Sequence, residues 1–284
     1  MPEWLSAVIA GIVEGVTEFL PISSTGHLIL TSELLQFDAL EGGTFEIFIQ
    51  IGAVIAVIFF YRAELLQQAQ NVVSTESSVN TNARQLWLGV VVAFIPAAVL
   101  GLLFDDYIEE ILFGPVPVGI ALIVGGIMFI VVETMLKRQE NDADTEDTSE
   151  TVGTASIESN PLTYRQALWV GLWQVLALIP GMSRSGMSII GGMISGLDRE
   201  RATQFSFYLA MPTLGAATLY TLLRNLDTIS ADDLWLLTIG TVVSGIVAWF
   251  SIGWLLRYVA TNSFVLFGYY RIVVGIIVLV VVNM

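Results

Sequence analysis

The chain has no cysteine, one histidine and one lysine among its 284 residues. Without cysteine there is neither a disulfide framework nor a thiolate to hold a metal. With His27 alone, a His-rich metal site is excluded as well. Charge is scarce: 13% of the residues are charged and 55% are hydrophobic, against about 25% and about 45–50% in a soluble domain. That deficit argues for lipid as the solvent. Basic charge is the scarcer sign, ten arginines and Lys137, and the formal net charge is −15. No nucleic-acid partner is expected. Acidic, lysine-poor chains keep their hydration in strong salt, which points to a salt-loving, haloarchaeal host. The plainer explanation is one acidic loop, and from Glu140 to Glu158 acidic residues do recur without a basic one. The apolar stretch from Trp4 to Val13 lacks preceding basic residues and runs straight into glutamates, so it does not read as a cleaved signal peptide.

Long apolar runs are what the chain has in abundance. Six reach or approach the ~20 residues that span a bilayer as a helix: 45–61, 86–104, 116–135, 205–223, 234–256 and 264–282. Two more, 4–22 and 167–179, are shorter and run into polar, turn-forming residues: Ser23-Ser24-Thr25-Gly26-His27 and Pro180-Gly181-Met182-Ser183-Arg184-Ser185-Gly186. Broken backbone survives at membrane depth only when buried in protein or lining a wet cavity. Both segments are therefore expected to be re-entrant hairpins, at 4–40 and 166–198.

The two breaks are copies of one another. Ser23-Ser24-Thr25-Gly26 aligns with Ser183-Arg184-Ser185-Gly186, and Phe45 and Phe205 each follow the glycine by 19 positions. Leu122 to Ile127 matches Ile272 to Ile277 in the third span of each half. The expected fold is an all-α integral membrane protein with six transmembrane helices and two re-entrant hairpins. Its units are a first repeat at 1–138, an acidic linker at 139–161 and a second repeat at 162–284. Three spans per half is odd, so the second half is inverted, and broken helices of inverted repeats meet near the midplane to build a site. This topology gathers Arg62, Arg84, Lys137, Arg138, Arg165, Arg199, Arg201 and Arg257 on one side and leaves only Arg224 on the other. Cytoplasmic loops are enriched in Lys and Arg, so in this multi-pass protein of the cell membrane the linker is expected to be cytoplasmic and both termini extracellular.

The residues that carry chemistry sit in or beside the breaks. Glu14 and Glu18 are four apart, on one helical face, and carboxylates within membrane segments are costly and usually functional. They suit a metal ion or proton transfer; solvation at an interface is the structural alternative. Ser23, Ser24, Thr25 and Gly26 offer hydroxyls and a backbone turn able to cradle phosphate oxygens. His27 transfers protons near neutral pH or acts as a nucleophile. Arg184 brings a guanidinium fork that matches phosphate, flanked by Ser183, Ser185 and Gly186; without phosphate, Glu14 or Glu18 would be its partner. Gln50 and Arg271 lie within spans, and Arg271 reads as a structural residue paired to a carboxylate. Together these groups suit phosphoryl transfer, and the apolar walls imply a substrate with a lipid tail.

The stretch Glu14-Gly15-Val16-Thr17-Glu18-Phe19-Leu20-Pro21-Ile22-Ser23-Ser24-Thr25-Gly26-His27 resembles the first signature of the undecaprenyl-diphosphatase, or bacitracin-resistance, family. Pro180 to Gly186 resembles its second. The likeness continues through Thr44-Phe45-Glu46, Gln50, Ile95-Pro96-Ala97, Phe205-Ser206-Phe207 and Tyr270-Arg271, over essentially the whole chain except the linker. It implies a polytopic membrane phosphatase that converts undecaprenyl diphosphate to the monophosphate, recycling a carrier of cell-envelope glycans. It implies Glu14, Glu18, Ser24, His27 and Arg184 as catalytic residues and a divalent cation, magnesium or calcium, with no organic cofactor. Which of Ser24, His27 or water attacks phosphorus stays open, with Ser24 and His27 expected to work as a pair. A dolichyl-type carrier is the alternative lipid in a haloarchaeon. Membrane lipids are the other expected partners, and a homodimer is left open. A transporter or flippase of an anionic polyprenyl lipid is the rival from another class, since inverted repeats and broken helices also build transporters.

Overall fold

The computed structural model describes residues 1–37, 44–74, 76–112, 114–143, 157, 160–224 and 231–282. The described residues form helices and connecting turns, with no strand among them. Eleven α-helices follow in order: α1 (Glu3–Thr17), α2 (Ser24–Leu35), α3 (Thr44–Phe60), α4 (Arg62–Val72), α5 (Ser77–Leu112), α6 (Pro115–Ala143), α7 (Tyr164–Val175), α8 (Arg184–Ile194), α9 (Arg199–Arg224), α10 (Ala231–Val259) and α11 (Val265–Val282). A single 3-10 turn, Leu176–Leu178, extends α7.

Four stretches among the described residues are long and apolar enough to cross a membrane: Ser78–Phe104, Pro115–Arg138, Arg199–Arg224 and Asp233–Val259. Phe45–Phe60 and Arg62–Val72, bent by 67° at Tyr61, make a fifth if counted as one broken span. Their outward faces carry large apolar side chains, among them Leu102, Leu103 and Phe250. The chain is thus a multi-pass membrane protein by length and composition. The sequence reading had α3 as a plain span and did not foresee α4. It also ended the first repeat at 138, whereas α6 continues through Ala143; most of the expected linker lies outside the described residues. Against a hydrocarbon core ~30 Å thick, α1, with 15 residues, reaches only ~22 Å at a helix's ~1.5 Å per residue. The other three helices beside the breaks are shorter still, with 12 residues in α2 and in α7 and 11 in α8.

Packing follows small residues. α6 lies along α11, and a Cβ on Gly126 would come within 2.6 Å of the Gly268 carbonyl oxygen. α1 packs on α10 with Gly11 against the Gly240 backbone, and α7 packs on α5 with Gly171 against the Ala93 backbone. Small residues let helix backbones approach and replace the hydrophobic drive that lipid does not supply. At the far end of α6, fully buried Glu133 takes a bidentate pair from Arg199 at 2.7–3.2 Å and the Phe264 N–H at 2.8 Å, tying α6, α9 and the start of α11 together.

Gly126→Val should force α6 and α11 apart and lower stability by about 1–3 kcal/mol, read as a drop in the melting temperature of the detergent-solubilised protein. An unchanged melting temperature would show that the contact is not tight.

Candidate functional site

Two helix N-termini meet between the halves. After α1 the chain runs through Glu18 to Ile22 and turns at Ser23, which adopts φ 73° and caps α2 by accepting a hydrogen bond from the Gly26 N–H at 3.4 Å. After α7 it passes Gly181, at φ 98°, and turns at Ser183, which adopts φ 72° and caps α8 by accepting from the Gly186 N–H at 3.1 Å. Among the described residues, Ser23, Ser183 and Gln36 are the non-glycine residues with positive φ. Such a conformation costs about 1–3 kcal/mol and persists where surrounding structure holds it.

That surrounding structure is buried and polar. Ser185 donates to the Leu20 carbonyl at 3.0 Å, stitching the second turn to the first. Arg271, fully buried on α11, donates to the carbonyls of Pro21 at 3.1 Å and of Gly181 and Met182 at 3.0 Å, with longer bonds to Leu122 and Ala121. Gly125 leaves room for its guanidinium. The sequence reading paired Arg271 with a carboxylate; its hydrogen bonds go instead to backbone carbonyls, those of Pro21, Gly181 and Met182 in the two turns and those of Ala121 and Leu122 on α6. Its bonds reach both turns.

Between the turns lies a cavity of about 150 Å³ lined by Glu18, Ser23, Ser24, Thr25 and Gln50 from the first half and by Ser183 and Arg184 from the second. Glu18 is its hinge. Arg184 donates to Glu18 Oε1 at 3.0 Å, and Ser24 donates to Glu18 Oε2 at 2.6 Å. Arg184 also donates to the carbonyl and hydroxyl of Ser206, and Ser206 is bonded to Ser188 at 2.7 Å. The Nε of Arg184 is buried with no hydrogen-bond partner among the described residues. Fully buried Glu14 likewise has no partner there for either carboxylate oxygen.

Other expected site residues stand apart from the cavity lining. Ser185, Gly186 and Arg271 bond to the turns rather than line the cavity, and Glu14 and Gly26 are not among its lining residues. His27 turns to α11: Nδ1 lies 2.7 Å from the Ser23 carbonyl and Nε2 lies 2.7 Å from the Tyr270 hydroxyl. Ser24 donates to Glu18. Ser206 and Ser188 went unassigned in the sequence because isolated serines in apolar runs carry no pattern. Gln174 was legible in principle. The 160-residue shift that lays Ser23 on Ser183 lays Glu14 on Gln174, and both are buried side chains with no hydrogen-bond partner among the described residues.

The family model for the bacitracin resistance protein BacA matches residues 7–277, which include every candidate site residue. The chain belongs to the BacA family. Curated BacA-like relatives include undecaprenyl-diphosphatase 1 of Chromobacterium violaceum, 48% identical over 96% of this chain and 94% of that protein. The undecaprenyl-diphosphatase of Janthinobacterium sp. is 46% identical over 97% and 94%. Undecaprenyl-diphosphatase 3 of Acinetobacter baylyi is 42% identical over 98% of each chain. The BacA match runs through both turns and the cavity between them.

Glu18→Ala should strand the Arg184 guanidinium, whose side chain is only 10% exposed, and cost about 3–5 kcal/mol. In a double-mutant cycle with Arg184→Ala, the two losses should fall short of additivity by about 1 kcal/mol or more. Additive losses in chemical denaturation would contradict the pairing.

Proposed function

We propose that this chain hydrolyses undecaprenyl diphosphate to undecaprenyl phosphate and inorganic phosphate in the cavity between the two turns. The observation that carries the reading is the Ser24–Glu18–Arg184 hydrogen-bonded chain, in which a hydroxyl, a base and a cation meet where two helices begin. Helix N-termini favour anions through their free N–H groups and dipoles. Arg184 keeps an unpartnered Nε for a phosphate oxygen. The names of the relatives support the same substrate and favour hydrolysis over transport.

In this mechanism the diphosphate enters between the N-termini of α2 and α8, with Arg184 and the hydroxyls of Ser23, Thr25 and Ser183 holding its oxygens. The Ser24 oxygen attacks the terminal phosphorus and passes its proton to Glu18. The bond to the bridging oxygen breaks, and undecaprenyl phosphate leaves. Water then attacks the phosphoserine, releasing phosphate, and the proton on Glu18 returns to Ser24. His27, one turn along α2, braces the turn through its bond to the Ser23 carbonyl. A divalent cation would be held by Glu18 at the cavity wall, with the unpartnered, fully buried carboxylate of Glu14 as the second acidic group. When bound, it supplies charge neutralisation for the diphosphate.

The finer topology belongs to the same reading: six spans, two re-entrant hairpins and an inverted repeat, with the linker cytoplasmic and the termini outside. The packing supports it, because exchanging the halves maps the α1–α10 contact onto α7–α5 and leaves α6–α11 and α3–α9 as self-matched pairs. The short lengths of α1, α2, α7 and α8 and the one-sided distribution of arginine point the same way.

The test is phosphate release from a C55 prenyl diphosphate by detergent-purified protein. Ser24→Ala, Glu18→Gln and Arg184→Ala should each lower kcat by about 10²-fold or more, and chelation should lower the rate of the wild type. No release by wild-type protein would overturn the reading.

A further inference from the structure

Tyr270 is half-exposed on α11, yet its hydroxyl reaches across 243 positions of sequence to the chain's only histidine. The hydrogen bonds of His27 fix its tautomer. The Ser23 carbonyl accepts and cannot donate, so Nδ1 carries a proton and points it at that oxygen, 2.7 Å away. In the neutral ring Nε2 is then the bare nitrogen, and the tyrosine hydroxyl donates to it. The imidazole and phenol rings lie within 3° of parallel, with centroids 5.5 Å apart. Two bonds on opposite nitrogens leave the ring no freedom to rotate or flip.

We infer that Tyr270 is a positioning residue of the reaction site: by donating to Nε2 it holds the His27 ring in the Nδ1–H tautomer, whose N–H braces the Ser23 carbonyl in the turn that carries Ser24. The inference rests on the phosphatase reading above. Burial does not force this bond. A phenol that is 43% exposed can present its hydroxyl to a membrane interface, where tyrosine is enriched. Its backbone, by contrast, is fixed by the next residue: Arg271 is locked into the carbonyls of both turns. α11 therefore holds the turns with one side chain and orients the imidazole with its neighbour. The hydrogen bond on one ring nitrogen sets which chemistry the other performs. Here one bond goes to Ser23, which lines the cavity, and the other comes from Tyr270, which does not.

Because His27 is the sole histidine, protein grown with 15N-labelled histidine yields a single imidazole, with one signal per ring nitrogen. The experiment records that spectrum and the kinetics of phosphate release from a C55 prenyl diphosphate, for wild type and for Tyr270→Phe. Wild type should show the Nδ1–H tautomer with a hydrogen-bonded Nε2. In Tyr270→Phe the Nε2 signal should move to that of an unbonded nitrogen, and kcat should fall about tenfold, the loss that a slightly misplaced reacting group brings, with KM unchanged. The melting temperature should hold, because the hydroxyl removed is not buried; a merely structural residue would instead lower it and leave the tautomer and kcat alone. A wild-type proton on Nε2, an unchanged Nε2 signal in Tyr270→Phe, or a full kcat in that variant would overturn the role. No release by wild type would overturn the phosphatase reading and this role with it, which separates the two failures.

Discussion

Helices that stop inside an apolar bundle strand carbonyl groups that have no water to turn to, and each one left unpaired costs several kcal/mol. Arg271 answers that demand for both interruptions at once, donating to Pro21 beyond α1 and to Gly181 and Met182 beyond α7. The cavity follows from this arrangement. With their last residues pinned to one guanidinium, the two turns lie close enough for Ser185 to reach Leu20 and for Arg184 to reach Glu18. The glycines around the pin, Gly125 and Gly186, are part of the same solution, since a side chain at either would crowd the guanidinium.

The two turns share a frame. The capping serines, their positive φ and the glycine three residues on are common to both turns. The chemistry is not. Ser24 in the first turn corresponds to Arg184 in the second, Glu14 to Gln174 and Glu18 to Leu178. At the cavity the first turn and α1 bring the acids and Ser24, and the second turn brings the cation, so neither side of the cavity alone holds both signs of charge. Glu18 joins them, accepting from Ser24 on one oxygen and from Arg184 on the other. A symmetric pair of turns would have placed like beside like.

Much of this was legible in the sequence for a physical reason: hydroxyls, glycine and charge are conspicuous where the solvent is lipid. The breaks at Ser23 and Ser183 stand out against apolar runs, and Arg184 needed an anion for which Glu18 was one of two candidates. What escaped was of another kind. α4 is a polar helix that leaves α3 at Tyr61, and nothing in its composition announces a 67° bend. Arg271 was expected to seek a carboxylate, because backbone carbonyls are invisible in a string of side-chain names. Tyr270 meets His27 only after the chain has folded end to end. Ser206, which takes part of Arg184, is one serine among many. Local patterns showed where the chain is interrupted, but not how distant groups fill the interruption.

The chemistry assigned to Ser24 makes the most exposed claim, since it requires a covalent phosphoserine. Acid quench of the enzyme during turnover of undecaprenyl diphosphate carrying 32P in its terminal phosphoryl group, followed by peptide mapping, tests it directly, because phosphoserine survives acid and phosphohistidine does not. Label on the peptide containing Ser24, absent in Ser24→Ala, is the expected result. Release of labelled phosphate with no acid-stable label on that peptide would contradict attack by Ser24.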